Sequence, residues 1–143
     1  MAACVFCDIV AGHSPASIVY HDDACVAVLD TCPVNPGHTL VIPVRHATSL
    51  ADLDPEDGRA LFAIAQKVSQ AIRRSGLKAE GVNMLLADGE AGGQEIFHVH
   101  LHVLPRFNGD GFGHTFSPDY DRHPQREELD ANARVIRNVF ETA

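Results

Sequence analysis

Positive charge is scarce in this chain. Eleven Lys and Arg stand against nineteen Asp and Glu, for a formal net charge of −8 over 143 residues. No basic cluster exists beyond Arg73-Arg74. A groove tracking a nucleic-acid backbone needs many cations on one face, so nucleic acid is excluded as a partner. A small phosphate ester is not excluded, because a few histidines and backbone N–H groups suffice to hold one. Long apolar runs are also lacking, so no transmembrane helix and no membrane partner are expected. The first residues, Met1-Ala2-Ala3-Cys4-Val5-Phe6-Cys7-Asp8, carry neither a basic segment nor a long apolar one. No signal peptide is read there, and a cytoplasmic location is expected. In that compartment four cysteines serve as thiols or ligands rather than disulfides. No internal repeat or low-complexity segment is visible, and the length predicts a single domain over 1–143.

Periodicity predicts the elements. Ile18 to Tyr20 and Ala24 to Leu29 read as two strands around the turn His21-Asp22-Asp23. Thr39 to Pro43 reads as a third. Asp54-Pro55-Glu56-Asp57 is a helix start, with Asp54 as cap and Pro55 in the first turn. Leu61, Ile64, Ala65, Val68, Ala71 and Ile72 follow at a 3.6-residue period, and Arg73, Arg74 and Gly76 suit the end. Val82 to Leu86 and Ile96 to Leu104 are predicted as strands four and five, joined by a glycine-rich turn over 87–94. From 105 to 123 there is no periodicity, and a loop is expected. Leu129, Ala133, Ile136 and Phe140 mark a helical segment within 124–143. One long helix inserted among strands predicts an α+β fold with an antiparallel sheet of about five strands and a C-terminal helix.

The run Phe97-His98-Val99-His100-Leu101-His102-Val103-Leu104 carries the most information. At the two-residue period of a strand its three imidazoles share one face, roughly 6.5–7 Å between successive members. Val99, Leu101 and Val103 then face an apolar layer on the other side. Three histidines in alternation serve as metal ligands, or as a nucleophile with helpers. The preceding turn, Gly92-Gly93-Gln94, favours the nucleophile, because backbone N–H groups there can cradle a phosphate.

These residues resemble the signature of the histidine triad (HIT) superfamily, His-φ-His-φ-His-φ-φ with φ apolar, at every position from 98 to 104. Leu29-Asp30 through Pro36-Gly37-His38 to Pro43 is similar to the family's upstream segment, and Gly92-Gly93-Gln94 to the turn before its triad. The resemblance implies a HIT-like fold and cleavage or transfer at the α-phosphorus of a purine nucleotide through a nucleotidyl-histidine. Carried over by position, it implies His100 as nucleophile, His102 at the phosphate and leaving-group side, and His38 as the buttress. It implies Asp30 on the ribose hydroxyls, Gln94 and Gly93 at the phosphate, and Phe6, Ile9 and Val28 lining the base slot. It also implies a homodimer. Two positions depart from relatives: Ala87 stands where several carry an amide, and Glu95 where some carry Ser or Thr.

Cys4-Val5-Phe6-Cys7 is ambiguous on its own between free thiols, a redox pair and half of a metal site. The resemblance, closest to a bacterial branch with an N-terminal Cys-x-x-Cys, implies a structural Zn2+ held by Cys4, Cys7, His46 and His98, with no cofactor needed for the chemical step. Left open are a nucleotide-binding regulatory module with negligible turnover, and a metal-dependent hydrolase using the three triad histidines as ligands. The sequence does not choose between an amine and a second nucleotide as leaving group.

Overall fold

The structure, a computed structural model, describes residues 3–140. The ends of the 1–143 span and of the 124–143 helical segment lie outside the described residues. The described chain divides into two compact units, one reaching Phe112 and the other beginning at Gly113.

The first unit is built on a five-stranded sheet in the order β1-β2-β3-β5-β4, all neighbours antiparallel. Its strands are β1 (Ile18–His21), β2 (Cys25–Leu29), β3 (Thr39–Pro43), β4 (Gly81–Leu85) and β5 (Leu101–Arg106). The expected α+β class and antiparallel sheet are present. β3 is buried at every position because both faces of the sheet are covered. Alternation along the strands sorts the core into two layers. Cys25, Ala27, Val41, Leu101 and Val103 face the long helix α2 (Pro55–Arg74) and meet its Leu61, Ile64, Ala65, Val68 and Ile72. Val26, Val28, Leu40 and Ile42 face the other way and pack on Phe6.

α2 begins and ends as its signals predict. The Asp54 side chain accepts from the Glu56 N–H at 2.8 Å, and Pro55 needs no partner for its missing donor. Such a cap contributes about 1 kcal/mol. Sequence reading passed over a short helix at the other end of the chain, α1 (Val5–Val10). Six residues are too few for a periodic signal, and its apolar residues Phe6, Ile9 and Val10 serve tertiary packing.

The fifth strand is displaced from its expected range. β5 starts at Leu101, not Ile96, and continues through Pro105 to Arg106, where a loop was expected. Pairing explains both shifts. The first β5 residues to find partners are Leu101, opposite Val41 of β3, and His102, opposite Leu85 of β4, so residues 96–100 have no ladder partner. On the other side β3 stops at Thr39↔Val103. Beyond that point the Asn35 side chain substitutes for a neighbouring strand, donating Nδ2–H to the Pro105 carbonyl at 2.8 Å. Gly37 makes this approach possible. It has φ 94°, and an added Cβ would lie 2.9 Å from Leu77 Cδ1 and 3.4 Å from Pro105 Cγ.

In the second unit α3 (Arg126–Phe140) follows the expected apolar periodicity. Phe116 and Tyr120 stack at 3.7 Å, and Arg122 pairs with Glu128 at 2.9 Å.

Candidate active site and metal centre

On the face of the sheet opposite α2, four rings follow one another in the order Phe6, His100, His102, His38. Centroid separations are 5.0, 4.9 and 5.2 Å. Val99, Leu101 and Val103 are buried under α2, as the alternation predicts. The segment carrying His98 and His100 keeps that alternation without being a ladder strand. It is held instead by the Val99 N–H, which donates to the Ala47 carbonyl at 2.8 Å.

Backbone groups fix the tautomer of each ring. His100 Nδ1–H donates to the His98 carbonyl at 2.8 Å, which leaves the lone pair on Nε2. His98 Nε2–H donates to the Pro43 carbonyl at 2.9 Å, which leaves its lone pair on Nδ1. The Val34 N–H donates to His38 Nδ1 at 3.1 Å, so the proton of that ring sits on Nε2. From there it donates to His102 Nδ1 at 2.9 Å, which puts the His102 proton on Nε2. The expected buttress histidine therefore orients His102, and a backbone carbonyl orients His100. Burial lowers the His38 and His102 pKa values, that of His102 to about 4, with the nearby His100 and His38 adding to the effect. Both rings are neutral at pH 7, as the tautomer chain requires.

Asp30 ends beside this chain, its Oδ2 3.5 Å from His38 Nε2 and its Oδ1 accepting from the Cys32 N–H at 2.8 Å. Phe6 and Val28 are buried together, with Ile9 packed on them. Gln94, expected at a phosphate oxygen, has its amide engaged in the turn. Its Oε1 accepts from the Gly89 N–H at 2.8 Å, and its Nε2 donates to the carbonyls of Thr48 and Ile96. Gln94 thus shapes the glycine turn. Gly93, at φ 88°, lines a cavity beside His102. Glu95 is exposed and Ala87 lines the same cavity.

That cavity, about 350 Å³, is walled by Val34, Leu85, Leu104 and Phe112 next to His38 and His102. Sequence reading missed this wall, because Phe112 lies where no periodicity exists. A half-buried ion pair holds it. Arg106 binds Asp110 through Nε at 2.6 Å and Nη2 at 2.9 Å, and Nη2 also donates to the Phe112 carbonyl at 2.6 Å. Asn35 donates to the same carboxylate at 2.9 Å. The Arg-x-x-x-Asp spacing was the available signal, with Gly109 and Gly111, both at positive φ, on either side of the aspartate.

The second constellation joins distant parts of the chain. Cys4, Cys7, His46 and His98 present their ligand atoms within 4.8 Å of one another. Cys4 Sγ lies 3.4 Å from His98 Nδ1, Cys7 Sγ 3.3 Å from His46 Nδ1 and 3.6 Å from His98 Nδ1, and the two Nδ1 atoms 3.1 Å apart. A tetrahedral zinc with ordinary bond lengths spaces such donors at roughly 3.3–3.6 Å. The donor set and its spacing therefore fit the ion. The lone pair on His98 Nδ1, set by Pro43, points at the right place. Burial, then the neighbouring Cys4 thiol, raises the Cys7 pKa when no metal is present. A second group, Asp30, His38 and His102, also brings ligand atoms within 4.8 Å. There the Val34 N–H keeps the proton on His38 Nε2, where a metal would need a lone pair. That group is a hydrogen-bond relay.

The sequence profile of the HIT domain matches residues 11–109. The chain belongs to the HIT domain family. A HIT-like protein of Mycobacterium tuberculosis is 42% identical over 137 residues, covering 96% of this chain and 92% of that protein. The adenylylsulfatase HINT3 of Arabidopsis thaliana is 40% identical over 103 residues, covering 75% of this chain and 52% of that protein. Among solved structures, a zinc-bound histidine triad family protein from Mycobacterium smegmatis has TM-score 0.75 and 41% identity, with 98% and 96% of the two chains covered. Among the described residues no helix is long and apolar enough to cross a membrane.

Proposed function

We propose that this HIT protein hydrolyses or transfers a purine nucleoside phosphate at its α-phosphorus, with His100 as nucleophile. The supporting observation is the pair of tautomers at His100 and His102. One presents a lone pair on Nε2, the other an N–H on Nε2, on rings 4.9 Å apart. In the first step His100 Nε2 attacks phosphorus. The bond from phosphorus to the leaving atom breaks, and its electron pair goes with that atom. A leaving amine takes one proton from solvent. In the second step water attacks phosphorus and returns one proton. The P–N bond to His100 breaks, its electron pair goes back to Nε2, and the nucleoside monophosphate is released. Splitting one displacement into two is covalent catalysis. His102 Nε2–H and the turn N–H groups at Gly93 stabilise charge on the phosphoryl oxygens. Asp30 holds the ribose hydroxyls, and Phe6, Ile9 and Val28 take the purine.

Cys4, Cys7, His46 and His98 hold a structural zinc in this reading. A closed four-ligand site supplies folding energy and no open coordination position. The residues themselves pin α1, and with it Phe6, against the triad segment. The three-ligand hydrolase reading is disfavoured by a specific feature: among the described residues no metal-capable group contains His98, His100 and His102 together. The protein acts in the cytoplasm, as a homodimer. Sedimentation at two concentrations tests the latter.

The test is hydrolysis of an adenosine phosphoramidate beside diadenosine tri- and tetraphosphate, with His100→Ala as control. His100-dependent release of AMP from any of them supports the reading. Tight nucleotide binding without turnover replaces it with a regulatory binding module.

A further inference from the structure

Asn35 lies in the turn that gives the His38 ring its direction. The Asp30 N–H donates to the His38 carbonyl at 2.9 Å, and the His38 N–H donates to the Asn35 carbonyl at 3.1 Å. The Val34 N–H donates to His38 Nδ1 at 3.1 Å, the contact that keeps a proton off that nitrogen. Val34 itself sits between β2 and β3, outside any ladder. Strand pairing therefore does not hold its N–H in place.

The Asn35 side chain does. It is 6% exposed and gives both amide hydrogens away, one to the Pro105 carbonyl at 2.8 Å and one to Asp110 Oδ2 at 2.9 Å. Both partners only accept, so a flipped amide would set its oxygen against two others. The acceptors are themselves anchored. Pro105 is paired within β5, opposite Val82 of β4. Asp110 is gripped by Arg106 through Nε and Nη2 and by the Phe112 N–H. Arg106 ends β5, the strand that carries His102. Asn35 thus ties the turn behind one ring of the relay to the strand beneath the other.

The β3–β5 ladder already sets how far apart His38 and His102 stand, through Leu40↔His102 and Thr39↔Val103. It does not set which ring donates. A 2.9 Å contact between His38 Nε2 and His102 Nδ1 is satisfied by either proton order. The reversed order leaves His102 Nε2 bare, and a lone pair there repels a phosphoryl oxygen.

We infer that Asn35 is a positioning residue: by pinning its turn to Pro105 and Asp110 it keeps the Val34 N–H on His38 Nδ1, and so keeps the His102 proton on Nε2. It acts through Val34 and His38. Its effect on rate rests on the reading of His102 as phosphoryl donor given above, and its effect on the rings does not.

The experiment reads the ring nitrogens of the full chain by long-range proton–nitrogen correlation NMR at neutral pH, with signals assigned from single His→Gln variants. In the wild-type chain His38 and His102 are each expected to show a protonated Nε2 and a bare Nδ1. Asn35→Ala and the milder Asn35→Ser are expected to mix or reverse that pattern at both rings. His100, held by the His98 carbonyl, is expected to keep its protonated Nδ1 in both. Asp54→Ala, which removes the α2 cap, controls for lost stability and is expected to leave all three rings unchanged. In a phosphoramidate assay the Asn35 variants are expected to lose kcat by about tenfold with KM within about threefold, the pattern of a slightly misplaced group that acts in the transition state. Asp54→Ala is expected to keep both constants. A wild-type His38 protonated on Nδ1 overturns the inference, as does an unchanged ring pattern in an Asn35 variant that thermal melting shows to be folded. Altered rings with unchanged kcat uphold the positioning and overturn His102 as phosphoryl donor. If no His100-dependent turnover is seen, the nucleophile reading fails and the ring pattern alone decides for or against Asn35. If neither variant folds, hydrogen exchange on the wild-type chain decides. The Asn35 side-chain amide is expected to be protected together with the Val34 N–H, and fast exchange at Asn35 beside a protected Val34 overturns the inference.

Discussion

His38 Nε2 lies 2.9 Å from His102 Nδ1, and the Val34 N–H behind His38 fixes the direction of that hydrogen bond. The proton order along His38 and His102 is therefore set by one backbone amide, a single ring away from His102 in space and far from it in sequence. His38→Ala removes the donor that keeps His102 in its Nε2–H form. The expected result is a fall in kcat of about a hundredfold, the scale for losing one oriented hydrogen-bond donor at a developing charge. KM is expected to change by less than about threefold, since the P–O contact strengthens mainly in the transition state. A steady-state assay of both constants checks this split.

The His102 pKa makes a prediction about stability. It is about 4 in the folded chain, lowered first by burial, against an ordinary value of 6.5. Between pH 6.5 and 4 the unfolded chain carries a proton on this ring that the folded chain does not. Stability thus falls as pH drops through that window and levels off below it. His102 contributes up to about 3 kcal/mol of this loss, and His38, shifted the same way, adds to it. His102→Gln is expected to flatten the slope between pH 6.5 and 4 in urea titrations. An unchanged slope contradicts the assignment.

Asp110 carries a linkage of the same sign in a more acidic window. The Arg106 guanidinium holds its carboxyl well below the usual carboxylate range. The stability it contributes is present above the ordinary carboxylate pKa and is lost only in strong acid. Its side chain is 3% exposed. Asp110→Asn leaves the Arg106 charge half-buried without its partner and is expected to lower stability. It also frees the Phe112 turn. A denaturant midpoint measured on the variant checks the direction.

Zinc removal is expected to act on folding before chemistry. Chelation is predicted to lower Tm by about 5–10 °C at metal concentrations that had saturated the site. The rate should fall less than in His100→Ala, because His100 keeps its bond to the His98 carbonyl. Cys7→Ser should abolish the metal dependence of Tm. Differential scanning calorimetry with and without chelator measures both.

The fold was legible where local signals agree with tertiary need. α2 declared its cap, its period and its end, and the alternation of Val99, Leu101 and Val103 turned them toward an apolar layer, which the structure shows to be α2. Strand limits were less legible because they depend on partners. Nothing within 96–100 says that β3 and β4 fail to reach it. The triad and the Cys-x-x-Cys stood out as motifs, yet the use of Gln94 did not, since an amide that braces a turn looks in sequence like one that meets a ligand. Phe112 was invisible because its position comes from Arg106 and Asp110, an interaction with no period.

The most direct measurement is the identity of the covalent intermediate. The protein is mixed with an excess of an adenosine phosphoramidate, quenched in alkali within milliseconds, digested and read by mass spectrometry. The account predicts an adenylyl group on the peptide carrying His100, fragmenting to that histidine, and none in His100→Ala. An adduct on another residue, or full turnover by His100→Ala, contradicts it.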